Sequence, residues 1–328
     1  MSHRLPVALN CALALLLASS CAPAGDGAPP APTTTELAVT EQLVAVNGTE
    51  LFVKRMGAGE PIVVVHGGPV LEHGYLLPHL EPLAEAYELI FYDQRLSGRS
   101  AGTADPESVR LATFVDDIEA LREVLGLGRI HLMGHSWGGM LAMRYAVRYG
   151  HNLRSLVLLD SMAASSEFWK AEEAALAKRI SPEARAELDA FRQTEAFQQR
   201  QPQAIGAMMG MAFRTQFTDP GKADLLELYI PDDYVARSEQ FGAMGAELAD
   251  FDFHAELATV DVPTLVLYGA DEPGTTLGGT AIAEAIPDAT LEIIPAAGHF
   301  PFIENPTVCL ATILDFLRQT PDRGRDGR

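Results

Sequence analysis

Positive charge is scarce in this chain: 24 Lys and Arg stand against 44 Asp and Glu, a formal net charge of −20 over 328 residues. Such a surface repels phosphate backbones and anionic lipid headgroups, so nucleic acid is not an expected partner. It tilts the balance slightly toward cationic or amine-bearing substrates. Cysteine is scarce as well. Of Cys11, Cys21 and Cys309, two fall within the first 21 residues, which leaves no pair for a disulfide in the folded part. Cys309 reads as a small buried apolar side chain on a helix. No apolar run is long enough to span a bilayer. No internal repeat, no metal-ligand cluster and no glycine-rich nucleotide loop stands out, so no metal or other cofactor is expected. What is present is a chain that is 48% hydrophobic. That suffices for one large core with an insertion, or for two modest domains.

Residues 1–21 read as an address. His3 and Arg4 precede an apolar run from Cys11 to Ala18 that ends in small residues, as a secretory signal does. Leu17-Ala18-Ser19-Ser20-Cys21 resembles a bacterial lipobox, with Ala18 where leucine is commonest. That resemblance implies cleavage before Cys21 and lipidation of its thiol; ordinary signal cleavage nearby is the alternative. The following stretch, Ala22–Thr35, is rich in Pro, Ala, Gly and Thr and cannot bury a core. It reads as a flexible linker running to about residue 40. The expected location is outside the cytoplasmic membrane, tethered to the bacterial envelope by this anchor alone. The polar tail 321–328 is expected to fray.

From Leu43 the pattern changes. Leu43–Val46 and Leu51–Arg55, joined by Asn47-Gly48, predict a β-hairpin. Short apolar runs follow at Ile62–Val65, Leu89–Tyr92, Ile130–Met133, Leu156–Leu159, Thr264–Tyr268 and Leu291–Ile294. Amphipathic segments at Val109–Leu125, Trp137–Tyr149, Gly279–Ala285 and Thr307–Leu317 lie between them. Strand alternating with helix predicts an α/β fold with a mostly parallel sheet covered on both faces. Residues 161–256 hold no convincing strand and have helix starts such as Ser181-Pro182-Glu183. They read as a helical cap inserted into a core of residues 41–160 and 257–320.

The strongest motif is Gly134-His135-Ser136-Trp137-Gly138, set between a strand and a helix. This is the pattern of a nucleophile elbow, a turn so tight that its flanking residues must lack bulk. Ser136 is the candidate nucleophile, and a serine needs a base to act as one. Of the histidines after the elbow, His299 is best placed, on the small-residue loop after the last strand. His135 and His66 read as structural. The orienting acid belongs after Thr264–Tyr268, where Asp271 is the first choice, the adjacent Glu272 the second, and Asp160 a remoter option. His66-Gly67-Gly68-Pro69 follows a strand and lets backbone N–H groups approach a developing oxyanion. Gly68 N–H paired with Trp137 N–H is the expected oxyanion hole.

These residues resemble the α/β-hydrolase family over roughly Leu43 to Leu317. Within it, His66-Gly-Gly-Pro69, Asp93-Gln94-Arg95, Ser97-Gly98-Arg99-Ser100 and Gly134-His-Ser-Trp-Gly138 together resemble proline iminopeptidases. The resemblance implies a serine hydrolase releasing N-terminal residues, often proline, from peptides. It also implies a cap whose acidic residues bind the substrate's free amine, for which Glu195 and Glu247 are the candidates. Arg95 and Asp93 are expected to form a brace behind the site. Val70 and Leu96 stand where the family usually has glycine, and the loop at Gly269–Asp271 is one residue shorter than the common spacing. The serine at the elbow speaks against epoxide hydrolases and haloalkane dehalogenases, which use Asp there. The alternative activity is a carboxylesterase or small-amide hydrolase on the same triad. A more distant one is a lipoprotein that keeps the fold only for binding.

Overall fold

A computed structural model describes residues 37–102 and 105–320. The targeting segment with Cys21, the spacer up to residue 36 and the tail 321–328 lie outside the described residues. The hairpin forms as β1 (Val39–Val46) and β2 (Thr49–Gly57), so strand begins two residues before the expected end of the linker. Asn47 and Gly48 both have positive φ, 42° and 75°, the turn whose twist suits a two-residue hairpin.

The order continues as β3 (Glu60–Val65), β4 (Tyr87–Tyr92), α1 (Leu111–Val124), β5 (Ile130–His135), α2 (Trp137–Tyr149) and β6 (Leu153–Leu159). The inserted cap carries α3 (Ser166–Arg179), α4 (Pro182–Arg192), α5 (Pro202–Arg214) and α6 (Tyr234–Phe241). The core resumes with β7 (Thr264–Gly269), α7 (Gly278–Ala285), β8 (Ala289–Ile294) and α8 (Pro306–Gln319). Among the described residues no helix is long and apolar enough to cross a membrane.

The eight strands form one sheet in the order β1-β2-β4-β3-β5-β6-β7-β8. Pairing is antiparallel at the hairpin edge and parallel from β3 and β4 onward. Every residue of β5 and β7 is buried, as strands covered on both faces should be. Alternation along β3 divides the core: Val63 and Val65 face α1 and α2, whereas Ile62 and Val64 face the layer that contains Cys309, Ile313 and Leu317 of α8. Cys309 is free and fully buried, as its place on an apolar helix face requires.

Serine side chains start the cap helices: Ser165 accepts from Phe168 N–H and Ser181 from Ala184 N–H, each satisfying one orphan donor. The cap is tied to the core at α6, where Arg237 donates to the carbonyls of Gly98 and Ser100 at 3.1 Å each.

The expected Arg95–Asp93 brace does not form. Arg95 instead makes a bidentate pair with Asp117 of α1, both contacts 2.6 Å, and Asn47 donates to the same carboxylate at 3.0 Å. Asp93 turns the other way and accepts from His73 Nδ1 at 2.6 Å and from Arg99 N–H at 2.8 Å. The reason is reach: the long guanidinium extends to Asp117 on α1, where both side chains are buried. Removing one partner of such a pair strands a buried charge. Arg95→Met is therefore expected to lower the unfolding free energy by about 3–5 kcal/mol in urea titrations.

Candidate active site

Ser136 sits between β5 and α2 with φ 54° and ψ −122°, a backbone conformation that a non-glycine residue takes only under constraint. Backbone bonds hold it. Its N–H donates to Leu159 O at 3.1 Å, and its carbonyl accepts from Gly139 and Met162 N–H, both at 2.9 Å. A Cβ at Gly138 would collide with the carbonyls of Val65 and His66, which is why the elbow admits no side chain there. The turn lifts Ser136 to the carboxyl edge of the sheet, where it lines a cleft of about 340 Å³ beneath the cap. His299 lines the same cleft, so the two residues expected to act together share one site.

His299 reaches the cleft on the loop after β8. Its own N–H donates to Gln216 O of the cap at 3.1 Å. Glu304 braces this loop: one carboxylate oxygen accepts from Gly298 N–H at 2.6 Å, the other from Thr218 and Asp219 N–H at 2.8 and 3.0 Å. Cap and histidine loop are thus clamped by one buried carboxylate.

Glu272, not Asp271, is the β7-loop carboxylate beside the imidazole. Glu272 Oε1 lies 3.7 Å from His299 Nδ1, too long for a hydrogen bond. Asp271 is exposed, and its side chain accepts from Thr218 at 2.9 Å. Its backbone carbonyl takes the Arg179 guanidinium. Backbone bonds fix which acid turns inward: Asp271 N–H donates to Ala297 O at 2.9 Å and Glu272 N–H to Gly269 O at 3.1 Å. Asp160, at the end of β6, also faces this cluster. Burial works to lower the His299 pKa, but the Glu272 carboxylate, helped by Asp160 and Glu172, outweighs it and holds the imidazole above the ordinary histidine value.

Behind the site runs a neutral scaffold. His135 Nε2 donates to His299 O at 3.1 Å, and its Nδ1 lies 2.6 Å from Tyr75 Oη, which accepts from Gly67 N–H at 2.7 Å. Burial depresses the His135 pKa well below normal, so the ring stays neutral and Tyr75 donates to it. His66 is likewise pushed down to about 4 by burial. It accepts from Gln94 N–H at 3.1 Å, while the Gln94 side chain donates to His66 O at 2.7 Å and accepts from the Trp137 indole at 2.9 Å. Both histidines are structural in the way their positions predicted. Gly68, with φ 59°, lines the cleft opposite Trp137. Val70 and Leu96, which replace family glycines, keep glycine's backbone with φ 68° and 66°. Their buried side chains offset strain of about 1–3 kcal/mol each.

Glu195 and Glu247 do not reach the cleft. Glu195 is exposed and accepts from Gln199 at 2.7 Å; Glu247 accepts from Leu111 N–H at 3.0 Å on another face. The acidic cap residues that do line it are Glu172 and Glu173 of α3, beside Trp169 and Phe241. Their sequence setting, acidic positions on a polar helix, does not distinguish them from other cap carboxylates. Glu172 accepts from Gly278 N–H at 2.9 Å. A second, narrower cavity of about 50 Å³ opens on the other flank of Ser136 and His299, walled by Leu71, Phe213, Leu226 and Leu228.

A strand-turn-helix serine at the carboxyl edge of a parallel sheet, faced by a histidine and an acid from later loops, defines a class. A model of the alpha/beta hydrolase fold family matches residues 60–306, and the chain belongs to that family. It is similar to the proline iminopeptidase of Lactiplantibacillus plantarum, 27% identical over 291 residues, which covers 83% of this chain and 98% of the relative. The proline iminopeptidase of Clostridioides difficile is 26% identical over 85% of this chain and 98% of its own. Among solved structures, a proline iminopeptidase from Mycobacterium smegmatis matches with a TM-score of 0.66 at 25% identity, covering 86% of this chain and 98% of its own. A thermophilic esterase from Thermogutta terrifontis matches with a TM-score of 0.60 at 26% identity, covering 87% and 99%.

Burial raises the Glu172 carboxyl to about 7. An acid whose folded pKa exceeds its unfolded value costs stability as pH climbs from the ordinary carboxylate range through that raised value. Glu172→Gln removes this loss and keeps the acceptor for Gly278. Its gain in thermal midpoint over wild type is expected to grow between about pH 5 and about pH 8; a gap independent of pH would contradict the assignment.

Proposed function

We propose that this hydrolase is a serine aminopeptidase of the iminopeptidase type, working through an acyl-enzyme. The observation that carries the reading is the pairing of Ser136 and His299 at the floor of the cleft with Glu172 and Glu173 hanging from the cap above it. A buried ammonium needs carboxylate partners, and a free N-terminus brought to Ser136 would meet them there. Ser136 attacks the carbonyl, and His299 takes its proton and returns it to the leaving amine. Water then repeats the sequence on the acyl-enzyme. The N–H groups of Gly68 and Trp137 receive the developing oxyanion. Glu272 holds the imidazole and stabilises its charged form. Secretion and a lipid anchor on Cys21 remain part of the proposal. They rest on the signal-like start and the small-residue run before that cysteine.

A second reading, a carboxylesterase on the same residues, draws on the apolar cavity that flanks Ser136 and needs no amine. A panel of prolyl- and alanyl-naphthylamides against acetyl and butyryl esters separates the two. Cleavage of the naphthylamides, lost on N-acetylation of the substrate, is the expected result; cleavage of esters alone would establish the second reading. Glu172→Gln should raise KM for the free-amine substrate about tenfold or more while leaving ester hydrolysis nearly unchanged.

His299 must be neutral to accept the serine proton, and its pKa is raised. The rate therefore climbs with pH, and the acid limb of kcat/KM should be centred above about 6.5, the ordinary histidine value. His299→Ala should cut kcat by about 10⁴-fold or more with little change in the thermal midpoint.

A further inference from the structure

We propose that Asp160 is a second positioning carboxylate for His299, sharing one proton with Glu272 so that either acid can hold the base. The inference rests on the serine-hydrolase reading above and adds a residue to it.

Asp160 is the first residue beyond β6, and its position is set by backbone. Its N–H donates to Leu267 O at 2.8 Å, and its Oδ1 accepts from Gly269 N–H at 3.0 Å, so the side chain is pinned across the end of β7. The residue is almost fully buried. Oδ1 is satisfied, but Oδ2 is buried without any hydrogen-bond partner, and so is His299 Nδ1. One oxygen of Asp160, one of Glu272 and one imidazole nitrogen all lie within 4.8 Å of one another. A side chain kept only to tie β6 to β7 needs one acceptor, which an amide supplies without the cost of burying a charge. An unpartnered oxygen in the same cluster as an unpartnered imidazole nitrogen calls for another explanation.

Charge counting supplies it. The groups facing Asp160 are Glu272 from the β7 loop, His299 from the β8 loop, Glu304 behind that loop and the Cys309 thiol of α8, with the Tyr268 hydroxyl nearby. The imidazole is the one cation-forming group in that set. A buried and a half-buried carboxylate beside one imidazole do not both ionise cheaply, so they keep one proton between them. Burial raises the Asp160 pKa well above its ordinary range, which makes Asp160 the resting holder of that proton. The pair then carries one negative charge toward Nδ1–H. When Ser136 passes its proton to Nε2, that single charge faces the imidazolium. No further proton needs to move. Should Glu272 be lost, one repelling charge goes with it, and the His299 imidazolium, which favours the ionised form of Asp160, draws that carboxylate into its place against the cost of burial.

A double-mutant cycle tests this, read on whichever substrate wild type cleaves and on the rate of fluorophosphonate labelling of Ser136. Asp160→Asn keeps the Gly269 acceptor but removes the second acid, leaving Glu272 alone, so its rate should fall about twofold to fivefold. Glu272→Gln should fall only about 10–100-fold, because Asp160 takes over. The double variant has no acid left and should fall about 10⁴-fold, far more than the product of the single losses. The His299 imidazole, followed by proton NMR, should titrate close to wild type in Glu272→Gln and clearly lower in the double variant.

Equal rates and equal imidazole titrations in Glu272→Gln and the double variant would overturn the proposal. Were Asp160→Asn not to fold, Glu272→Gln alone decides. A rate at least about a hundredfold above His299→Ala upholds the role, and a rate as low as His299→Ala ends it. A wild-type chain that neither labels nor cleaves would instead refute the serine-hydrolase reading, while the NMR titrations would still judge the pairing of Asp160 with His299.

Discussion

The whole site depends on one strained residue at the edge of the sheet. Ser136 holds a backbone conformation that costs about 1–3 kcal/mol, and it does so because neighbouring backbone leaves no choice. The Leu159 carbonyl takes its N–H, Gly139 and Met162 take its carbonyl, and the Val65–His66 backbone crowds Gly138. Those partners come from β3, β6, α2 and the segment after β6. Ser136 is therefore positioned by the same parallel pairing that builds the core, and core packing and site geometry cannot be separated.

Around that point the loops are joined by hydrogen bonds between neutral groups. The Tyr75–His135 chain links the Gly67 N–H to the His299 carbonyl, and Gln94 links His66 to Trp137. Burial keeps both histidines uncharged, so each ring has one donor and one acceptor with a defined direction. Glu304 does for the cap what these residues do for the core loops, with three backbone donors converging on one carboxylate. The Gly67–Gly68 loop, the elbow, the His299 loop and the cap are thus held in one frame.

The cleft is charged in one sense. Glu172, Glu173 and Glu272 line it and Asp160 lies beneath, in a chain whose net charge is −20. This field favours a cation in the cleft and also raises the His299 pKa. Affinity for a cation and readiness of His299 to accept a proton therefore pull against each other as pH falls. The apolar cavity on the opposite flank is free of that conflict, which is why amide and ester substrates should respond differently to the same carboxylate.

Much of this could be read from sequence because it rests on local chemistry. Alternating and continuous apolar runs mark every strand of the sheet to within a few residues, Asn47-Gly48 marks the hairpin turn, and glycine flanking Ser136 marks the elbow. Each follows from steric or periodic rules that act over a few residues. The spacing after Tyr268 already hinted that Glu272 could replace Asp271. Which carboxylate turns inward, however, was decided by where the β7 loop packs against the loop carrying Ala297 and His299. Arg95 chose Asp117 over the adjacent Asp93, and the cap brought Glu172 and Glu173 to the cleft in place of Glu195 and Glu247. Such choices are long-range: a charged side chain pairs with whatever the folded chain places within its reach, and reach is set by packing between segments far apart in sequence.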